Sequence, residues 1–281
     1  MSATAPVDAS TAARQAGGSS FSAGMRVLPR AEREAMYAVY AFCRAVDDIA
    51  DDQAGAPAER TAALDGWRRD LDSLYAGRDP GRTALLAEAV RRFGLDRADF
   101  EAVIDGMQMD VDADIRAPSE AVLDLYCDRV ASAVGRLSVR IFGMDREPGL
   151  QLAYHLGRAL QLTNILRDLD QDAAIGRLYL PREALDRAGI AGDEPHTVVD
   201  DPRVDAACRK LAARAHAHYR AAAAVLAARP RGRLLAPRLM EAAYARVLAR
   251  TEHAGWVPPR RRVSVGKGEL LWLVVSRGLF G

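Results

Sequence analysis

Residues 157–181 read GRALQLTNILRDLDQDAAIGRLYLP, and their periodicity decides the fold. At about 100° per residue, Gly157, Gln161, Asn164, Asp168 and Asp172 fall within roughly an 80° sector. Leu160, Leu162, Ile165, Leu166 and Leu169 occupy much of the remaining circumference. A helix that is apolar nearly all round is a buried helix. An ionised Asp buried there without a partner is costly, so the polar stripe must face a cation or a wet cavity. The spacing predicts one helix that begins after Gly143 and Pro148, runs past Asp172 and breaks near Gly176.

A second stretch, LPRAEREAMYAVYAFCRAVDDIADD (residues 28–52), repeats the pattern. Pro29 suits a helix start. With Met36 as origin, the apolar stripe holds Val39, Tyr40, Cys43, Val46 and Ala50. Asp47 falls near 20° and Asp51 near 60° at about 100° per residue. Two carboxylates thus lie on the apolar face beside Arg44, whereas Asp48 and Asp52 turn toward solvent.

Between and beyond these two, the chain reads as all-α. Gln53 to Ala58 makes a break, a helix follows around Glu59 to Tyr75, and Gly77 to Gly81 turns the chain. Helical stretches then run from Arg82 to Phe93 and from Arg97 to Met109. The run DVDADIRAP (residues 110–118) imitates a calcium loop but has Ile115 where glycine belongs and Ala121 where the terminal Glu belongs; it reads as a helix end and loop. Ser119 can cap the next helix, whose VASAVG segment (residues 130–135) admits close approach of a helix or a ligand chain. Pro195 and Pro202 bracket a loop, and two Ala-rich helices follow, about Pro202 to Ala228 and Ala236 to Thr251, joined by RPRGR.

The ends differ from the body. Met1 to Gly18 reads as a disordered tail with neither the basic start nor the apolar core of a signal peptide, leaving residues 19–281 as one domain. The C-terminal WVPPRRRVSVGKGELLWLVVSRGLFG couples a basic loop to an apolar run about half the length that spans a bilayer, which packs on the domain or touches a membrane surface.

Composition narrows the classes. Lys+Arg 39 against Asp+Glu 38 gives a net charge of +1, which offers no general attraction to nucleic acid, and RPRGR and PPRRR lack interleaved aromatics. Cys43, Cys127 and Cys208 are odd in number and widely spaced, fitting a reducing cytoplasm. The five histidines form no zinc pattern and read as surface or capping residues.

The two acidic helices together define a chemistry. Asp at i and i+4 places carboxylates on neighbouring turns, within roughly 6 Å, and magnesium commonly bridges one or two carboxylates to substrate phosphates. Arg44 and Arg167 beside the two pairs suit a diphosphate head. A helical apolar cavity would take a hydrocarbon tail and keep water from a carbocation.

SSFSAGMRVLP, YAFCRAVDDIADD, YCDRVASAVG and the 157–181 stretch, in this order and spacing over roughly Ser19 to Lys267, resemble the squalene and phytoene synthase family. The resemblance implies an all-α isoprenoid synthase fold, a helical bundle around a central apolar cavity, and head-to-head condensation of two prenyl diphosphates. It implies Mg²⁺, with Mn²⁺ as a substitute, on Asp47, Asp51, Asp168 and Asp172, with Asn164 and Gln161 near the metals. Ser20, Arg44, Arg167 and Arg177 would contact diphosphate, Arg262 occupies a phosphate-binding position, and Tyr126 stands where the family has a catalytic tyrosine. Phe21, Tyr40, Val130, Val134 and Tyr244 would line the prenyl tunnel. Within the family the wording is most similar to bacterial presqualene diphosphate synthases of hopanoid biosynthesis, which join two farnesyl diphosphates without NADPH and pass the product to later pathway enzymes, in the cytoplasm or peripherally at the inner membrane. A phytoene synthase using twenty-carbon donors and a complete NADPH-dependent squalene synthase are the alternatives. A non-catalytic helical lipid-binding protein is the alternative of a different class.

Overall fold

The computed structural model describes residues 25–52, 55–112 and 115–264. The expected tail at residues 1–18, Ser20, Phe21 and the apolar run after residue 264 lie outside them. The elements are α1 (Arg30–Asp51), α2 (Pro57–Tyr75), a 3₁₀ turn (Gly81–Leu86), α3 (Ala87–Phe93) and α4 (Arg97–Asp112). They continue with α5 (Glu120–Cys127), a π-helical turn (Asp128–Ser132), α6 (Ala133–Ile141), α7 (Arg146–Arg167) and α8 (Leu169–Ala174). The chain then forms α9 (Arg182–Arg187), α10 (Pro195–Asp200), α11 (Val204–Ala227) and α12 (Leu235–Ala254). Among the described residues the only β-type pairing is an isolated bridge between Arg116 and Leu178. The all-α expectation holds.

Two apolar cores carry the bundle. Leu152, Leu156, Ala159, Leu162, Ile165 and Leu166 of α7 pack with Leu211, Ala215 and Tyr219 of α11, so the greasy circumference of the central helix is buried as its periodicity requires. Met36, Val39, Phe42 and Val46 of α1 pack with Leu64 and Trp67 of α2, Phe100 and Ile104 of α4 and Leu137 of α6. Phe42 stands edge-on to Trp67 and Phe100, ring centroids 5.6 and 5.2 Å away. Val130 packs against both cores at their seam.

The small-residue run admits a helix. A Cβ on Gly157 would lie 2.7 Å from the Ser132 Cα and N, and one on Gly135 would lie 3.0 Å from the Ala153 Cα, so α7 crosses the π turn and α6 backbone against backbone. The Ser119 cap also forms, its hydroxyl accepting the Val122 N–H at 3.3 Å.

Three details differ from the periodicity. The central helix does not run unbroken past Asp172: α7 ends at Arg167, and Asp168 adopts φ −107°, ψ 20°, in the sparsely populated bridge region. The hydrogen-bond ladder persists, Asp168 N–H to Asn164 O and Asp172 N–H to Asp168 O both at 2.9 Å. A tertiary ion pair from Asp168 to Arg262 accompanies the bend. The loop expected between Pro195 and Pro202 holds α10, with Pro195 at its first turn and Val198 and Val199 buried; one turn is too short to register as a period. The histidines are not all solitary: His155 and His218 bring their Nδ1 atoms to 3.1 Å between α7 and α11.

Candidate active site

One arginine ties the C-terminal end of α1 to the segment that follows α8. Arg177, from the loop after α8, donates through Nη1 to Asp51 Oδ1 at 2.7 Å and through Nη2 to the Ala50 carbonyl at 3.0 Å. Arg44 donates to Asp47 at 2.7 Å and to Asp48 at 2.5 Å. Asp168 receives two guanidiniums: Arg167 through Nε at 2.8 Å and Nη2 at 2.5 Å, and Arg262 through Nε at 2.7 Å and Nη2 at 3.2 Å. Such forked pairs are the geometry in which Arg also grips phosphate.

Electrostatics reflects crowding of like charge. Burial and the neighbouring Asp51 push the Asp47 carboxyl up to about 6 against the pull of Arg44. Burial and Asp168 push Asp172 up to about 7, with Asp110 and Asp51 adding to the effect. Burial acts on Asp168 in the same sense, but Arg167 and Arg262 outweigh it and hold this carboxyl below the usual range. Carboxylates whose ionisation is disfavoured by one another gain from any added cation.

Beneath the cluster lies a network the sequence reading missed. Asp110, at the end of α4, accepts from the Tyr179 hydroxyl at 2.8 Å and from the Tyr126 hydroxyl at 3.0 Å, one on each oxygen. Its side chain is 3% exposed and lies 4.0 Å from Arg177. The Tyr126 and Tyr179 rings stack with centroids 5.0 Å apart. Asp110 was legible in part: at about 100° per residue it lies about 60° from Met107, on the face of Val103, Ile104 and Val111. Tyr179 carries no periodic signal, because RLYLP is fixed by backbone bonds, Leu178 N–H to Ile115 O at 2.8 Å and Ala117 N–H to Leu178 O at 2.9 Å.

The remaining expected residues surround these. The Asn164 Nδ2 reaches Gln161 Oε1 at 3.5 Å, while the buried Asn164 Oδ1 has no hydrogen-bond partner among the described residues. Tyr244 of α12 lies close enough to Arg167 to raise its pKa and packs on the first core. Tyr40 and Val134 pack on the second core. Asp47 and Asp51 are less enclosed than their helix positions suggest, with side chains 37% and 45% exposed.

Residues 14–269 match the family model for squalene/phytoene synthase. The chain belongs to this family. A presqualene diphosphate synthase of Zymomonas mobilis is 59% identical over 92% of this chain and 88% of its own length. One of Rhodopseudomonas palustris is 55% identical over 92% of each chain. The fold is similar to a crystal structure of a dehydrosqualene synthase with bound ligand, with TM-score 0.81, 25% identity, and coverage of 97% of this chain and 95% of the other.

In this squalene/phytoene synthase the donor set fits a magnesium–diphosphate group. The orphaned Asn164 oxygen, the two carboxyls with raised pKa and the surrounding arginines offer hard oxygen ligands and anion donors together. Among the described residues no three His, Cys, Asp or Glu side chains close on a single ion.

Proposed function

We propose that this enzyme joins two farnesyl diphosphates head to head, forming presqualene diphosphate and releasing diphosphate. The observation that carries the reading is the convergence of the Asp47/Asp51 and Asp168/Asp172 pairs, with Arg177 bonded to Asp51 at 2.7 Å and to the Asp172 carbonyl through its backbone N–H. The names of the relatives support the same reaction.

Asp47, Asp51, Asn164, Asp168 and Asp172 would hold magnesium, or manganese in its place, and the metal would supply the positive charge that makes diphosphate a leaving group. Arg44, Arg167, Arg177 and Arg262 neutralise the departing diphosphate, exchanging a carboxylate for a phosphate oxygen. Tyr40, Val130, Val134 and Tyr244 keep water from the allylic cation; the family resemblance assigns Phe21 to the same task and Ser20 to diphosphate binding. The 2,3 double bond of the second substrate attacks the first carbon of the ionised one, and proton loss closes the cyclopropane. No hydride is consumed, so NADPH has no part in this step. The chain acts in the cytoplasm as one domain over residues 19–281, with peripheral contact at the inner membrane, where later enzymes of hopanoid synthesis take up the oily product. No helix among the described residues is long and apolar enough to cross a membrane.

Donor preference tests the reading. With magnesium, farnesyl diphosphate should be consumed much faster than geranylgeranyl diphosphate, and a chelator should stop both. Preference for the longer donor would make the enzyme a phytoene synthase and overturn the assignment.

A further inference from the structure

We infer that Asp110 is the terminal acceptor of the proton lost when the cyclopropane closes, receiving it through the Tyr126 hydroxyl. The inference rests on the reaction proposed above and assigns a part to two groups beneath the diphosphate site, Asp110 and its brace Tyr179.

A phenol hydroxyl has one proton to donate. Tyr126 lies 3.0 Å from Asp110 Oδ2 and 3.2 Å from the Tyr179 hydroxyl, and Tyr179 donates to Oδ1 at 2.8 Å, so the Tyr126 proton is directed inward to the carboxylate, either directly or through Tyr179. With its proton committed inward, the Tyr126 oxygen offers its surroundings only lone pairs. It can accept a proton and cannot donate one. Burial also drives the Tyr126 pKa well above its ordinary value, which keeps the ring a phenol and removes phenolate as the base. A neutral phenol is a very weak base, and it takes up a proton efficiently only by passing its own onward in the same step. Asp110 is the group placed to receive it.

The surroundings suit that task. Burial raises the Asp110 pKa, against the opposing pull of Arg177 and the two hydroxyls, and makes the carboxylate a better base. Tyr179 braces the other oxygen and stacks on Tyr126 at a 25° interplanar angle, and its neighbour Leu178 is tied by backbone bonds to Ile115 and Ala117. Asp110 and both tyrosines are therefore held at fixed separations before substrate arrives.

The step balances. The C1–O bond of the first farnesyl diphosphate breaks and its electron pair leaves on diphosphate. The π pair of the second substrate forms a bond from C2 to that C1, placing positive charge on C3. A C–H bond at the same C1 then breaks, and its pair forms the C1–C3 bond of the ring. The proton goes to the Tyr126 oxygen as the Tyr126 proton moves to Asp110 Oδ2, and water removes it from Asp110 when diphosphate departs.

The test is to measure diphosphate released and presqualene diphosphate formed in the same reaction of Asp110→Asn with farnesyl diphosphate and magnesium. The amide keeps the shape and cannot take the proton. Ring formation should fall by about a hundredfold, the scale of a lost proton-transfer group, with diphosphate release much less affected. The difference should appear as alcohols formed when water captures the cation. Tyr126→Phe, which leaves Asp110 in place, should show the same partition, the double variant should be no worse than either, and Asp110→Glu should restore coupling in part. If Asp110→Asn does not fold by far-UV circular dichroism, Tyr126→Phe carries the test alone. Parallel loss of diphosphate release and ring formation would reduce these residues to structural parts. Unchanged partition would make the departing diphosphate the base; either result overturns the inference. Failure of the underlying reaction is distinct, because the unmodified enzyme would then form no presqualene diphosphate.

Discussion

Substituting Gly157 by Ala measures how tightly the central helix must lie on the π turn. At an unhindered helix position this change stabilises by about 1 kcal/mol, because Ala restricts the unfolded chain and prefers the helix. Here the new Cβ would stand 2.7 Å from two backbone atoms of Ser132 and 2.8 Å from its Oγ. Backbone on the far side cannot rotate away, so α7 must lift, at an overpacking cost toward the upper end of about 1–3 kcal/mol. The net loss is about 2 kcal/mol, and at about 2–4 °C per kcal/mol for a chain of this size the Tm falls by about 4–8 °C. Lifting α7 also shifts Arg158, whose Nη1 donates to Ser132 Oγ at 3.0 Å, and displaces Asp168 at the helix end, so kcat falls as well. Gly149→Ala on the same helix is the control: its nearest neighbours are Val139 side-chain atoms at 3.3 and 3.4 Å, which can give, and its Tm should hold or rise. Calorimetry of both variants decides the matter. A Gly157→Ala protein that melts at or above the parent temperature would refute the close-contact argument.

Other outcomes follow from the site. Asp168→Asn should lower turnover by about a hundred- to a thousandfold, the scale of a lost electrostatic contact in the transition state, while the far-UV helical signal stays; near-normal activity would remove the role given to Asp168. Without divalent cations, the stability contributed by Asp47 and Asp172 should fall as pH rises. The folded pKa values of Asp47 and Asp172, about 6 and about 7, lie above the ordinary carboxylate value, so the folded state binds more protons than the unfolded one from about pH 4 to 7 and loses that advantage as both groups ionise. Burial holds His218 down to about 4 and gives a slope of the opposite sign over the same range, so the quantity to follow is the Tm of the unmodified protein minus that of Asp172→Asn, which should fall as pH rises, and added magnesium with diphosphate should raise Tm most at the upper end. A Tm difference that stays constant or rises with pH across the window would contradict the crowding of carboxylates.

Long-period features were legible in the sequence, and features made by tertiary contact were not. The spacing of Met36, Val39, Cys43 and Val46 located α1, and the circumference of leucines located α7, because both patterns follow from which face is buried. The same periodicity put Asp47 and Asp51 on α1, but it ran Asp168 and Asp172 into the central helix, which ends at Arg167 and leaves Asp172 on α8. It could not show the bend at Asp168, where a residue ninety-four positions later, Arg262, pairs with the carboxylate. Nor could it show that PPRRR supplies internal partners, with Arg260 on Asp170 at 2.5 Å and Arg262 on Asp168. Asp110 sat on the correct face of α4 but within a run that imitates a calcium loop, and its significance comes from Tyr126 and Tyr179, brought to it by a turn with no period. The short α9 and α10 escaped for the same reason.

The central claim is that the paired aspartates ionise one farnesyl diphosphate and that the reaction stops at the cyclopropane. Mass spectrometry of the products formed from farnesyl diphosphate and magnesium, with and without NADPH, tests it most directly. The account predicts presqualene diphosphate in both reactions, in unchanged amount. Squalene appearing when NADPH is added would contradict it.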